Sequence, residues 1–168
     1  MRHRAQLSGV TGLVVALALG APAAAAAAAG PAAEQKVDGV IAVAGNTCTW
    51  TDAATSADPP NTLTVDRTTI NRPGGNLACD GGITATLNND PVFTFDDAAG
   101  TARADTIDIT GQQSFLSCRY KATNVLWDRD GNTRSYKNRA FTAAKTSGSF
   151  LCPGSVTTAA GEASVTFR

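Results

Sequence analysis

The sequence predicts an all-β protein, an antiparallel β-sandwich or small barrel stapled by two disulfides. Three observations carry this. Short runs of alternating apolar and polar residues succeed one another from Val37 onward, separated by Gly, Asn, Asp and Pro. No window after the first 29 residues shows helical periodicity. The four cysteines, Cys48, Cys79, Cys118 and Cys152, are even in number and too far apart for a Cys-x-x-Cys metal site.

Residues 1–29 are read apart from the fold. Arg2 and Arg4 form a basic start, residues 13–19 an apolar core, and the alanines up to Ala29 supply small residues for cleavage. This is the layout of a cleaved secretory signal, and the core is much shorter than the ~20 residues that span a bilayer. Residues 30–36 are expected to be a flexible N-terminal segment. Residues 37–168 are expected to form one β domain, with no stable membrane insertion once the leader is removed. Export also sets the redox expectation: paired cysteines in a secreted chain read as disulfides.

Four cysteines allow three connectivities. Internal similarity selects Cys48–Cys79 and Cys118–Cys152. In each half an aromatic stands two residues after the first cysteine (Trp50, Tyr120). Each second cysteine opens a Cys-x-Gly-x-Ile/Val-Thr run. On this reading residues 37–110 and 111–168 are two similar halves.

The elements follow in order. Residues 37–44 are apolar and partly β-branched. Residues 47–51 alternate, with Cys48 and Trp50 on one face. Asp58-Pro59-Pro60-Asn61 breaks the chain, since two prolines cannot sit in a central ladder. Leu63 and Val65 alternate with threonines and Asp66, and residues 71–76 are a loop by composition. Ile83, Ala85 and Leu87 make the next strand, and residues 88–91 turn it. Residues 92–95 are returned by Asp97-Ala-Ala-Gly100 as a hairpin, into an alternating strand over 104–109. Leu116, Cys118, Tyr120 and Ala122 then share one face, with Ser117, Arg119, Lys121 and Thr123 on the other. At Val125 and Trp127 the apolar residues move to odd positions. Either a bulge near Asn124 resets the register, or Leu126 points inward and Trp127 covers the outside. Asp130-Gly131 is a hairpin dipeptide, a strand-like run passes through Tyr136 to Phe141, and residues 163–167 form the last strand.

The chemistry available is narrow. The only histidine, His3, lies in the leader, so the mature chain has no imidazole for a Ser-His-Asp or Cys-His set. No phosphate loop, nucleophile elbow, cofactor motif or metal motif is present. Asp128-Arg-Asp130-Gly131-Asn132 shares its oxygen spacing with calcium loops but lacks their distal glutamate, and reads as a turn. The adjacent Asp96 and Asp97 face opposite ways on a strand, as do Asp105 and Asp108, whereas a glycosidase opposes two carboxyls across a cleft. The chain is formally neutral, with 14 basic and 14 acidic residues, which makes no case for nucleic acid. The halves differ: residues 30–110 hold 4 basic and 11 acidic side chains, residues 111–168 hold 8 and 3. Mutual attraction of two faces accounts for this, and a basic half meeting an anionic partner is the sharper alternative. The aromatics Trp50, Tyr120, Trp127, Tyr136, Phe141 and Phe150 read first as core. An outward Trp127 beside Arg119, Lys121, Arg129, Arg134, Lys137 and Arg139 would instead make a face for an anionic or glycan ligand.

At Cys118-Arg-Tyr-Lys-Ala-Thr and Leu151-Cys-Pro-Gly-Ser-Val-Thr the chain resembles uncharacterised secreted β-rich proteins of actinobacteria with two disulfides. The resemblance covers mainly residues 113–168. It implies export and β structure and brings no activity with it. The functional expectation is therefore a noncatalytic domain, secreted or associated with the cell wall. Its partner would be an anionic surface polymer or another extracellular protein. A secreted protease inhibitor presenting Arg119 or Lys121 and a carboxylate hydrolase are the alternatives.

Overall fold

A computed structural model describes residues 35–43, 45–71 and 76–168. The expected leader, most of the segment 30–36 and most of the loop 71–76 lie outside the described residues. Among the described residues twelve strands follow: β1 (Lys36–Val43), β2 (Asn46–Ala54), β3 (Leu63–Thr64), β4 (Asn76–Cys79), β5 (Thr84–Leu87), β6 (Val92–Asp96), β7 (Thr101–Gln113), β8 (Leu116–Arg129), β9 (Ser135–Asn138), β10 (Phe141–Gly148), β11 (Ser155–Thr158) and β12 (Ala163–Phe167). Most lie on the alternating runs of the sequence, but β4, β11 and all of β10 beyond Phe141 fall where the sequence predicts no strand, and the run expected through Tyr136 to Phe141 is broken at residues 139–140, between β9 and β10. Gly100 and Gly131 hold φ of 64° and 60° in the two expected hairpin turns.

Every strand pair is antiparallel. The order β8-β9-β12-β1-β2-β4-β5-β7 closes on itself because β7 also pairs with β8. The architecture is a closed eight-strand barrel, in a single hydrogen-bonded sheet rather than two stacked ones. Closure removes the free edges that an open sheet exposes. Two short extensions leave the ring: β6 and β3 continue from β7, and β10 and β11 continue from β8.

The β7–β8 hairpin is the spine. It pairs from Thr101↔Asp128 to Gln113↔Leu116, and the ladder skips only Asp105 opposite Asn124. Asn124 has φ 54°, and the Asp105 carboxylate accepts the Val92 N–H at 2.8 Å. At that level both strands change the face they turn inward. Below it Ala102, Ala104, Val125 and Trp127 are buried. Above it Ile107, Ile109, Tyr120 and Ala122 face in. The inward face thus changes near Asn124 without the expected bulge, since the pairing keeps one register on both sides of it. Trp127 is 2% exposed and Leu126 42% exposed, so Trp127 does not cover the outside and is no part of a surface ligand face. It meets Phe93 in an aromatic cluster that also holds Phe95, Tyr136 and Phe167, with centroids 5.4–6.4 Å apart.

Both disulfides, Cys48–Cys79 and Cys118–Cys152, form as expected. Their settings differ. Cys48 and Cys79 are direct cross-strand partners on β2 and β4, whereas Cys118 ties β8 to the turn between β10 and β11. The boundary at 110/111 falls inside β7, and β1 pairs with β12. Strands from both proposed halves therefore share one ring and do not fold as two repeats. The charge imbalance is resolved in the same way. Arg119, Arg129, Arg134 and Arg168 of the basic half pair with Asp108, Asp97, Asp58, and Asp38 with Asp52, of the acidic half.

Packing requires a glycine at position 39. Gly39 sits opposite Trp50 at a bulge between β1 and β2, and a Cβ at Gly39 would lie 1.9 Å from Trp50 Cζ2. The indole takes the space of the missing side chain. Gly39→Ala is expected to cost about 1–3 kcal/mol of unfolding free energy by overpacking, read from urea midpoints, with Gly39→Ala/Trp50→Leu recovering part of the loss. Replacing Cys118 and Cys152 together by serine is expected to cost about 3–4 kcal/mol, the loop-closure value for their separation of 34 residues, checked by the same denaturation.

Candidate functional site

Above the level of Asn124 the barrel wall opens. β7 and β8 there present Ile107, Ile109, Gly111, Cys118, Tyr120 and Ala122 inward, and β10 and β11 curl over them with Phe141, Ala143 and Val156. Ile41 and Ile83 face them from the other side. The space enclosed is a pocket of about 220 Å³. Its origin is legible in the side chains: Gly111, Ala122 and Ala143 are too small to fill the wall between strands. Ile107, Ile109, Tyr120, Phe141 and Val156 are only partly buried, although all five pack on the core. The polar groups of the lining, Gln112, Gln113, Thr157 and Thr158, belong to strand ends.

Deeper in the barrel a second cavity of about 40 Å³ lies between Trp50, Trp127, Val165 and the same Ile107 and Ile109. These isoleucines, with Ile41, line both spaces. The indole N–H groups of Trp50 and Trp127 are buried without an acceptor, a desolvation cost of about 1–3 kcal/mol each.

The roof of the pocket is clamped. The turn 149–153 is joined to β8 by Cys118–Cys152. The Tyr120 hydroxyl donates to the Pro153 carbonyl at 3.1 Å, and Lys145 Nζ donates to the carbonyls of Cys152 (3.1 Å) and Ser149 (3.4 Å). Burial pushes the Tyr120 phenol above its ordinary value, so it stays a neutral donor. Gly148, at φ 116°, lets β10 approach the Ser117 carbonyl to a distance no Cβ would tolerate.

The cationic residues singled out from the sequence are elsewhere and largely neutralised. Arg119 makes two 2.8 Å bonds to the Asp108 carboxylate, which also accepts from Asn88 at 3.0 Å. Arg129 is bonded to Asp97 and lies over the Tyr136 ring at 5.9 Å. Arg134 pairs with Asp58, Lys137 with Asp130 at 2.9 Å, and Arg139 with Asp128 at 2.7 Å. Lys121 is exposed on the outer face of β8. The expected basic-aromatic face is therefore not assembled: its tryptophan is internal, and five of its six cations are engaged by aspartates. Arg119 and Lys121 lie within a strand, not on a protruding loop. Asp128 and Asp130 flank the β8–β9 turn and hold cations of β9 and the residue after it. Asp58 and Asp97 share an open polar depression with Arg129 and Arg134, each bonded to one of those arginines.

Two stretches escaped the sequence reading. Phe115, Phe150 and Leu151 are 89%, 91% and 58% exposed, so Phe150 is not core as expected. Both phenylalanines stand in Ser-Phe-Leu runs that lead into the two cysteines of one disulfide, Ser114-Phe115-Leu116-Ser117-Cys118 and Ser149-Phe150-Leu151-Cys152. Apolar residues repeated where turn residues belong were the signal.

Hydrogen bonds from Arg119 hold the Asp108 carboxyl below its ordinary 3.8, against burial, which raises it. A carboxyl lowered in the folded state contributes stability above its unfolded pKa and loses it as pH falls through the folded one. Asp108→Asn is expected to flatten the dependence of stability on pH below about pH 4, measured by urea unfolding at stepped acid pH.

Comparison with protein-family models, curated proteins and solved structures finds no match to this chain. Two disulfides point to an oxidising compartment. Among the described residues no helix is long and apolar enough to cross a membrane.

Proposed function

We propose that this chain is an exported, noncatalytic β-barrel that binds an apolar small molecule, or the apolar end of a larger one, in the pocket beneath the turn 149–153. The observation that carries this is the partly buried apolar wall of Ile107, Ile109, Tyr120 and Phe141 around about 220 Å³, inside a barrel whose other end leaves only about 40 Å³ unfilled. Apolar side chains held apart from one another forgo their own burial, at roughly 25 cal/mol per Å², and an apolar guest recovers it. Since a cavity of about 150 Å³ takes benzene, this one suits a group of about ten carbons. It is smaller than the ~300–1,000 Å³ of sites for drug-sized ligands. Tyr120 and the strand-end amides at the rim supply the few polar contacts that orient such a guest.

The leader pattern and both disulfides support export, as does the likeness to secreted actinobacterial β proteins. The ion pairing of Arg119, Arg129, Arg134, Lys137 and Arg139 favours an apolar ligand over an anionic polymer, because each guanidinium or ammonium would first have to leave an aspartate. The same pairing favours binding over carboxylate chemistry, since Asp58, Asp97, Asp108 and Asp128 are each committed to a cation.

The test is titration with N-phenyl-1-naphthylamine, a neutral probe that fluoresces in apolar surroundings. Saturable one-to-one binding is expected. Ala143→Leu and Val156→Phe, which fill the pocket from its walls, are expected to weaken it at least tenfold while leaving the melting temperature within a few degrees. Absence of saturable enhancement, or binding indifferent to both substitutions, would sink the proposal.

A further inference from the structure

We propose that the end of the barrel formed by the two Ser-Phe-Leu tips seats on an anionic lipid surface, inserting Phe115, Phe150 and Leu151 among the headgroups. This goes beyond the pocket reading and does not depend on it.

The exposure of these side chains is built into the backbone. Ser114 and Phe115 form the two-residue turn of the β7–β8 hairpin, where Gln113 pairs with Leu116 and Ser114 has φ 50°. Phe150 and Leu151 cap the turn between β10 and β11, which the disulfide, Tyr120 and Lys145 clamp at three points. A further bond from the Ser149 N–H to the Ser117 carbonyl, 3.0 Å, ties one tip to the other. Both tips therefore project together from one end of the molecule.

The charge around them favours an anionic surface. Residues 109–127 and 139–161, which supply the β7–β8 and β10–β11 parts of this end, contain no aspartate or glutamate; the carboxylates that border it, Asp108 opposite Lys121 and Asp80 in the β4–β5 turn, accept from Arg119 and from the Thr47 N–H. Lys145 sits directly beneath the 149–153 turn and Lys121 is exposed on β8. Arg119, which pairs with Ser147, is bonded to Asp108, and the other polar neighbours, Gln112, Gln113, Ser114, Ser117, Ser147 and Ser149, are uncharged. Apolar tips backed by Lys121 and Lys145, with the bordering Asp108 already held by Arg119, suit the boundary between headgroups and acyl chains. A protein partner, including a second copy, fits less well. The two phenylalanines offer about 150–250 Å² each, far short of the ~1,200–2,000 Å² of a stable protein interface.

The experiment uses the chain beginning at Gly30, whose barrel closes among residues 36–167, so that the apolar leader does not contribute. Its co-sedimentation is measured with vesicles of phosphatidylcholine, alone or with about one third phosphatidylglycerol. Binding to the anionic vesicles and little to the neutral ones is expected. Phe115→Ser and Phe150→Ser should each lower partitioning about tenfold. Lys121→Gln should lower it about fivefold. Because both rings are solvent-exposed, the serine variants should keep the wild-type melting temperature and naphthylamine binding. Loss of probe binding would thus fault the pocket reading alone. The lipid proposal is overturned by any of three results: no sedimentation of the wild type, equal sedimentation with neutral vesicles, or partitioning that the serine variants leave unchanged. A dimer in solution that the Phe115→Ser/Phe150→Ser variant converts to a monomer would assign the tips to self-association and also overturn it.

Discussion

The continuous pairing of β7 with β8 is the constraint on which the rest of the barrel depends. A ladder from Thr101↔Asp128 to Gln113↔Leu116 is long enough to serve two neighbourhoods at once. Its lower part carries β6 and β9, its upper part β5 and β10. Closure through this hairpin is what turns a meandering sheet into a ring. At Asp105 and Asn124 the inner faces of both strands change together, so the pairing survives while the side chains swap sides. Without that change, alternation set by Cys118 and Tyr120 would carry Trp127 to solvent and Leu126 into the aromatic cluster, since a shift of one residue reverses every side chain.

Two unlike interiors follow. Below Asn124 the hairpin contributes Ala102 and Ala104 opposite large rings, and Phe93, Trp127, Tyr136 and Phe167 meet edge to face or tilted, as aromatic quadrupoles prefer. Above it Gly111, Ala122 and Ala143 share the wall with Tyr120 and Phe141, whose rings do not fill the space, and it stays open. Close packing at one end and a gap at the other are consequences of one sequence of residue sizes along a shared pair of strands. The fold tolerates the gap because β10, β11 and the Cys118–Cys152 bridge hold its roof from outside the ring.

Electrostatics reinforces the same connectivity. Arginines late in the chain find aspartates early in it, and the one with most consequence is Arg119 on Asp108, beside Asn88 at the β5 end. That pair lies across β7 and β8 on the face opposite Tyr120, and a partly buried bidentate ion pair stays favourable where exposed ones contribute little. The charges that looked like a ligand surface are thus spent largely on closing the barrel. The surface left over at the upper end is apolar with Lys121 and Lys145 beside it, because Arg119 holds Asp108 and the β7–β8 and β10–β11 tips themselves carry no carboxylate.

The sequence by itself determined the β class, most strand positions (β4, β11 and most of β10 excepted) and the two hairpin turns at Gly100 and Gly131. Period-two alternation and the need for positive φ are properties of a few consecutive residues. It also pointed to both disulfides, through the similar surroundings of Cys48 with Cys118 and of Cys79 with Cys152. Only the tertiary structure decided that the sheet closes, since β1 meets β12 across more than a hundred residues and no local pattern encodes that register. It alone decided that Trp127 is internal, because a single backbone angle at Asn124 chooses between two faces that the alternation leaves equivalent. The pocket and the paired tips were beyond sequence reasoning for the same reason: a cavity is a failure of distant side chains to meet, and Phe115 and Phe150 become neighbours only when Cys118 reaches Cys152.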